Sequence, residues 1–111
     1  MNLSEDLLRG YTDPIILQRL EKKDGYGYQI SREVSELSGG RVELKEATLY
    51  TAFRRMETAG LIESYWGNEA IGARRRYYHL TENGRKQLAE ERTTWRENRA
   101  VLDQLLKGEE Q

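Results

Sequence analysis

The side chains best suited to chemistry fall in residues 45–60, KEATLYTAFRRMETAG. At 3.6 residues per turn this stretch has two faces. Tyr50, Thr51, Arg54 and Thr58 share one arc, with Arg55 at its edge and Ala47 as the only apolar member. Leu49, Ala52, Phe53 and Met56 share the other and are expected to bury. A face of hydroxyls, a phenol and guanidinium groups donates hydrogen bonds to base edges and phosphates. Arginine in particular matches guanine O6 and N7. Gly60 supplies a C-cap stop. A short helix of this kind suits a DNA major groove; the competing reading is an ordinary polar surface helix.

A second basic cluster is Arg74-Arg75-Arg76-Tyr77-Tyr78-His79-Leu80. In a strand, Arg74 and Arg76 point one way and Arg75 the other. Arg74 and Arg75, nearest the preceding glycine-bearing turn, are the candidates for phosphate or minor-groove contact. A positively guarded sheet edge is the alternative. Tyr26 and Tyr28 flank the start of another helix, where free N–H groups favour an anion. One ring is expected to pack and the other to reach phosphate, with the choice open. His79 is the sole histidine and has no motif placing a partner beside it, so it supports no catalytic role. There is no cysteine, which excludes disulfides, thiol nucleophiles and thiolate metal sites. No enzyme, metal or cofactor is expected.

These residues need a scaffold. Leu3, Leu7 and Leu8 mark a helical lead over residues 1–10. Asp13, or alternatively Thr12, caps a helix with Pro14 in its first turn and Ile15, Ile16, Leu17 and Leu20 inward. Ile30, Val34 and Leu37 step along a second helix ending before Gly39-Gly40. Residues 41–44, RVEL, alternate like a short strand. After Gly60 the period changes. Ile62, Ser64 and Trp66 face one side and Glu63 and Tyr65 the other, and a turn-rich tip over 67–73 leads into the basic strand. That is a hairpin following a helix pair, the order of a winged helix-turn-helix. Thr81 caps a last helix running to about Leu106. Leu88, Trp95 and Leu102 recur on it every seven residues, with Leu105 and Leu106 extending the stripe. So long a helix on so small a domain is expected to pair with a second copy; the alternative is a helix folding back onto its own domain. Residues 107–111 read as a frayed tail.

The totals fit one domain. The chain has 111 residues, 37% hydrophobic and 33% charged, and net charge −1. Residues 41–86 hold nine Lys/Arg against six Asp/Glu, so the middle is mildly basic and the ends acidic. No apolar run reaches membrane length and no signal-peptide pattern opens the chain, which predicts a soluble cytoplasmic protein. The fold expected is mainly α with a small β-hairpin. Residues 1–80 would form the winged helix-turn-helix, with recognition helix 46–59 and wing 62–80. Residues 81–111 would form the dimerisation helix and tail.

Tyr26-Gly27-Tyr28-Gln29-Ile30, Ala47-Thr48-Leu49-Tyr50, Arg54-Arg55-Met56-Glu57 with Gly60-Leu61-Ile62, and Arg75-Arg76-Tyr77-Tyr78 with Leu80-Thr81 and Gly84 together resemble the PadR family of transcriptional regulators, in its smaller subfamily. The resemblance spans about Leu7 to Leu106. It implies a homodimeric winged-helix repressor on a roughly palindromic operator. Thr48, Tyr50, Thr51 and Arg54 would lie on the recognition helix, with Lys45 and Arg55 at its margins. Tyr26 would lie near the DNA backbone, and Arg74 and Arg75 on the wing. Leu88, Trp95, Leu102 and Leu105 would form the dimer interface, where Trp95 borders a site for a planar aromatic effector or simply packs. Many members carry proline after the recognition-helix tyrosine; Thr51 stands there instead. The alternative function is a winged-helix protein-interaction module without DNA binding.

Overall fold

A computed structural model describes residues 2–108 of the chain, so the end of the expected frayed tail, 109–111, lies outside the described residues. Helix α1 is Glu5–Leu8, where Ser4 caps by accepting from the Leu7 N–H at 3.1 Å. The helical lead is therefore shorter than its leucine spacing predicts. Helix α2, Thr12–Lys22, begins one residue before the expected cap. Asp13 lies in its first turn, and Tyr11 fills the cap position without a side-chain bond. Asp13 is used across the fold instead, where it pairs with Arg55.

Strand β1, Gly25–Tyr26, runs straight into helix α3, Gly27–Leu37. Ile30 and Val34 are buried as their spacing predicts, but Leu37 is exposed because the last turn outruns the core. Residues 41–44 form no strand. Val42 and Leu44 point inward with the expected alternation, but no neighbouring strand pairs with them. Their backbone is held by other donors and acceptors: Val42 N–H donates to Ser38 Oγ (3.0 Å), Ser31 Oγ to the Leu44 carbonyl (3.3 Å), and Leu3 N–H to the Arg41 carbonyl (2.9 Å). Helix α4, Glu46–Thr58, ends where Gly60 takes a left-handed φ of 79°.

Strands β2, Ile62–Trp66, and β3, Arg76–Leu80, form the hairpin. The sheet has three strands rather than two, in the antiparallel order β1-β3-β2, with Tyr26 opposite Tyr77 and Tyr65 opposite Tyr77 from the other side. One face carries Tyr78 and Leu80 into the core. Tyr78 stacks on Phe53 of α4 with ring centroids 4.0 Å apart. The other face is a row of Tyr26, Tyr77 and Tyr65.

Helix α5, Glu82–Leu106, opens on Thr81. The Thr81 hydroxyl accepts from the Gly84 N–H (3.0 Å) and donates to the Gly60 carbonyl (2.7 Å), tying the end of α4 to the start of α5. Gly84 is a glycine because a Cβ there would press into the Leu61 carbonyl and the Leu80 side chain. The core gathers Ile16, Leu17 and Leu20 of α2, Ile30 and Val34 of α3, Leu49, Phe53 and Met56 of α4, the sheet residues, and Leu88. Beyond Arg92, every described residue of α5 is exposed, and the molecule measures 60 × 31 × 21 Å.

Candidate nucleic-acid interface

Helix α4 buries Leu49, Ala52, Phe53 and Met56 and turns Ala47, Thr48, Tyr50, Thr51, Arg54 and Thr58 outward, as its periodicity predicts. Its cations differ in how they are held. Arg55 pairs with Asp13. Lys45, at the cap position, lies 3.4 Å from Glu5. Among the described residues Arg54 makes no ion pair and no hydrogen bond. It is the guanidinium on this face with its donors uncommitted.

Tyr50 is contacted from two sides. Its ring meets Phe53 edge-on at 5.7 Å, and its hydroxyl lies 3.0 Å from where a Cβ on Gly27 would stand. Glycine at position 27 lets the N-terminus of α3 approach the exposed face of α4. Tyr26, next to Gly27, is half-buried against Tyr77, while Tyr28 is 69% exposed. Of this pair Tyr26 is the ring that packs.

In the wing, β3 starts only at Arg76, so Arg74 and Arg75 stand before the paired strand. The predicted divergence of the three arginines holds for two of them. Arg75 lies over the Tyr26 ring, 4.8 Å from its centroid. Arg76 goes to the opposite side, where it donates to Ser64 Oγ (2.8 Å), reaches Glu57 at 3.5 Å and covers Trp66. Arg74 Nε donates to the Gly67 carbonyl (3.0 Å). A chain of contacts thus runs from Tyr50 through Gly27 and Tyr26 to Arg75.

Two side-chain constellations were not legible in the sequence. Glu69 of the wing tip folds back to accept from the Arg75 N–H (3.1 Å) and the Tyr77 hydroxyl (2.9 Å), bonds that hold its carboxyl below the usual range and raise the Tyr77 phenol. Asp24 accepts from the Tyr65 hydroxyl (2.6 Å) and lies 2.9 Å from His79 Nδ1. Burial opposes its charge, but those two bonds keep the Asp24 carboxyl low, and the same bond pushes Tyr65 up to about 12. Neither set has a fixed spacing in the chain. His79 is a strut between β3 and the start of β1.

An open groove of about 790 Å³ lies between α5 and helices α1 to α3. Leu3, Leu7, Ile15, Val34, Leu37 and Trp95 line it. Leu88 floors it but is 1% exposed and belongs to the core of its own chain, unlike its partners in the seven-residue stripe. Trp95 is 41% exposed, with Arg99 over its ring at 5.0 Å. Leu102 and Leu105 are exposed. Arg92 clamps α5 to α2 through Glu21 (2.6 and 3.2 Å) and Gln18. That hydrogen bond holds the Glu21 carboxyl low and the Arg92 guanidinium high.

Comparison with known proteins agrees with this architecture. The family model described as Transcriptional regulator PadR-like family matches residues 16–90, more than half of the chain. A protein of Lysinibacillus sphaericus is 40% identical over 103 residues, 93% of this chain and 94% of that one. A transcriptional regulator from Clostridium thermocellum superposes with a TM-score of 0.86 at 39% identity, covering 93% of this chain and 100% of that one. A PadR family transcription regulator from Clostridium difficile superposes at 0.78 with 45% identity, covering 87% and 99%. A PadR-like regulator from Bacillus cereus does so at 0.82 with 30% identity, covering 95% and 100%. With its winged helix and these relatives, the chain belongs to the PadR-like family of transcriptional regulators.

Proposed function

We propose that two copies of this chain form a repressor that binds a palindromic operator in double-stranded DNA. The observation that carries this is the outer face of α4, where Thr48, Tyr50 and Thr51 surround Arg54, whose donors are uncommitted. In this reading Arg54 takes a base edge, preferably guanine O6 and N7. Thr48, Tyr50 and Thr51 fix register, and Lys45 and Arg55 flank them, Arg55 after exchanging Asp13 for phosphate. Tyr26 acts through Arg75, which it supports, and exposed Tyr28 takes the phosphate at the start of α3. Arg74 and Arg75 add wing contacts.

Pairing is supported by two apolar surfaces on one chain. The distal part of α5 exposes Val101, Leu102, Leu105 and Leu106, and the groove beside α1 exposes Leu7 and Leu37. A two-fold axis sets each surface against its complement on the other copy. Trp95 stands at the border of that groove, where a planar aromatic effector could stack and release the operator.

The test is binding to a duplex selected from random sequence by the full-length protein, at two salt concentrations. Affinity is expected to fall steeply with salt as counterions leave the DNA. Arg54→Ala is expected to lose about 1–3 kcal/mol of specific affinity and to relax one operator position. Equal loss on all sequences limits Arg54 to phosphate. Salt-independent or absent binding favours the protein-interaction module.

A further inference from the structure

The wing tip offers a further contact, one that rests on the DNA-binding reading above. Its base is closed by the Gly67 N–H donating to the Arg75 carbonyl (2.6 Å) and by Arg74 on the Gly67 carbonyl. Glu69 is folded inward onto Arg75 and Tyr77, so the one acid of the tip is turned away from its end. Besides the exposed Asn68, what remains of the tip is Ala70, Ile71, Gly72 and Ala73.

Ile71 is 91% exposed, whereas Ile16, Ile30 and Ile62 are buried. Its neighbours carry a methyl group or nothing, so it is a single branched projection rather than part of a patch. A flat protein interface needs a far larger apolar area. A slot one side chain wide fits the projection, and the B-DNA minor groove, roughly 6 Å across, is such a slot. Isoleucine is stiff about its first side-chain torsion, which suits a wedge. Arg74 and Arg75 follow it within four residues, both exposed; Arg74 is held on the Gly67 carbonyl and Arg75 lies 3.8 Å from Glu69, and their charge is complementary to the phosphates that border that groove.

We propose that Ile71 is an apolar wedge that enters the minor groove beside the α4 contact and partly unstacks one base step, and so favours operators with a deformable step there. The probe is a duplex selected from random sequence by the full-length protein, with 2-aminopurine placed in turn at each flanking step. Wild-type protein is expected to brighten one flanking position. Ile71→Ala is expected to bind about tenfold more weakly, without that brightening. Its salt dependence stays that of wild type, because no cation is removed. Ile71→Leu is expected to retain most of both signals. If Ile71→Ala matches wild type in affinity and brightening, the wedge is overturned while DNA binding stands. A weakened Ile71→Ala that has also lost self-association in ultracentrifugation overturns it in favour of a contact between copies. A wild-type protein that selects no sequence overturns the DNA reading and the wedge together.

Discussion

Gly27 shows how a residue with no side chain shapes the site. It brings α3 against the Tyr50 hydroxyl, and a methyl group there would meet Tyr50 at 3.0 Å and Leu49 at 3.4 Å. Tyr50 is exposed and its hydroxyl is the far end of a side chain, so it can swing away. Gly27→Ala is therefore expected to change stability by about 1 kcal/mol or less. It is also expected to weaken operator binding, because the displaced phenol leaves its register. A thermal melt paired with a binding isotherm checks this; a large loss of stability with unchanged affinity would place Gly27 in the fold alone. The α4 donors were legible because a 3.6-residue period sorts side chains without reference to the rest of the chain. Glu69 and the Asp24–Tyr65–His79 set were not. Asp24 and His79 are 55 positions apart, and only the sheet brings them together.

Among the elements, α2 to α5 were readable from apolar spacing, and Thr81 and Gly60 from cap chemistry. The misses have physical causes. Strand β1 has two residues, too few to show alternation. The segment 41–44 alternates but finds no partner strand, and alternation alone reports burial, not pairing. Leu88 shares its stripe with Trp95 and Leu102, but α5 leaves the domain between them, so one period spans two environments. The clamp that holds α5 at that exit is Arg92 on Glu21, and it carries a pH signature. The Glu21 carboxyl is lower in the folded chain than its ordinary 4.5. The unfolded chain therefore binds the proton more readily, and the stabilisation is present above 4.5 and lost as pH falls through the lowered value. Glu21→Gln is expected to lack that part of the acid sensitivity. Urea unfolding at about pH 7 and about pH 3 measures it: the gap between wild type and variant should close on acidification. A gap that persists in acid would show that the clamp acts through packing, not charge.

At the scale of the molecule, the shape is lopsided. Roughly 37 Å of helix follows from the 25 residues of α5, yet only Gly84 and Leu88 of it are buried. A helix so poorly covered is marginal in water unless something packs on it, and the groove between α5 and the other helices is open on the same chain. In the proposed dimer, paired copies would answer both needs and would set two α4 faces toward one duplex. The measurement that tests this most directly is the form of the DNA selected by the full-length protein, with the number of chains bound to it counted in ultracentrifugation. The expected result is an inverted repeat with half-site centres about one helical turn, roughly 34 Å, apart, bound by two chains at once. A single asymmetric site occupied by one chain would contradict it.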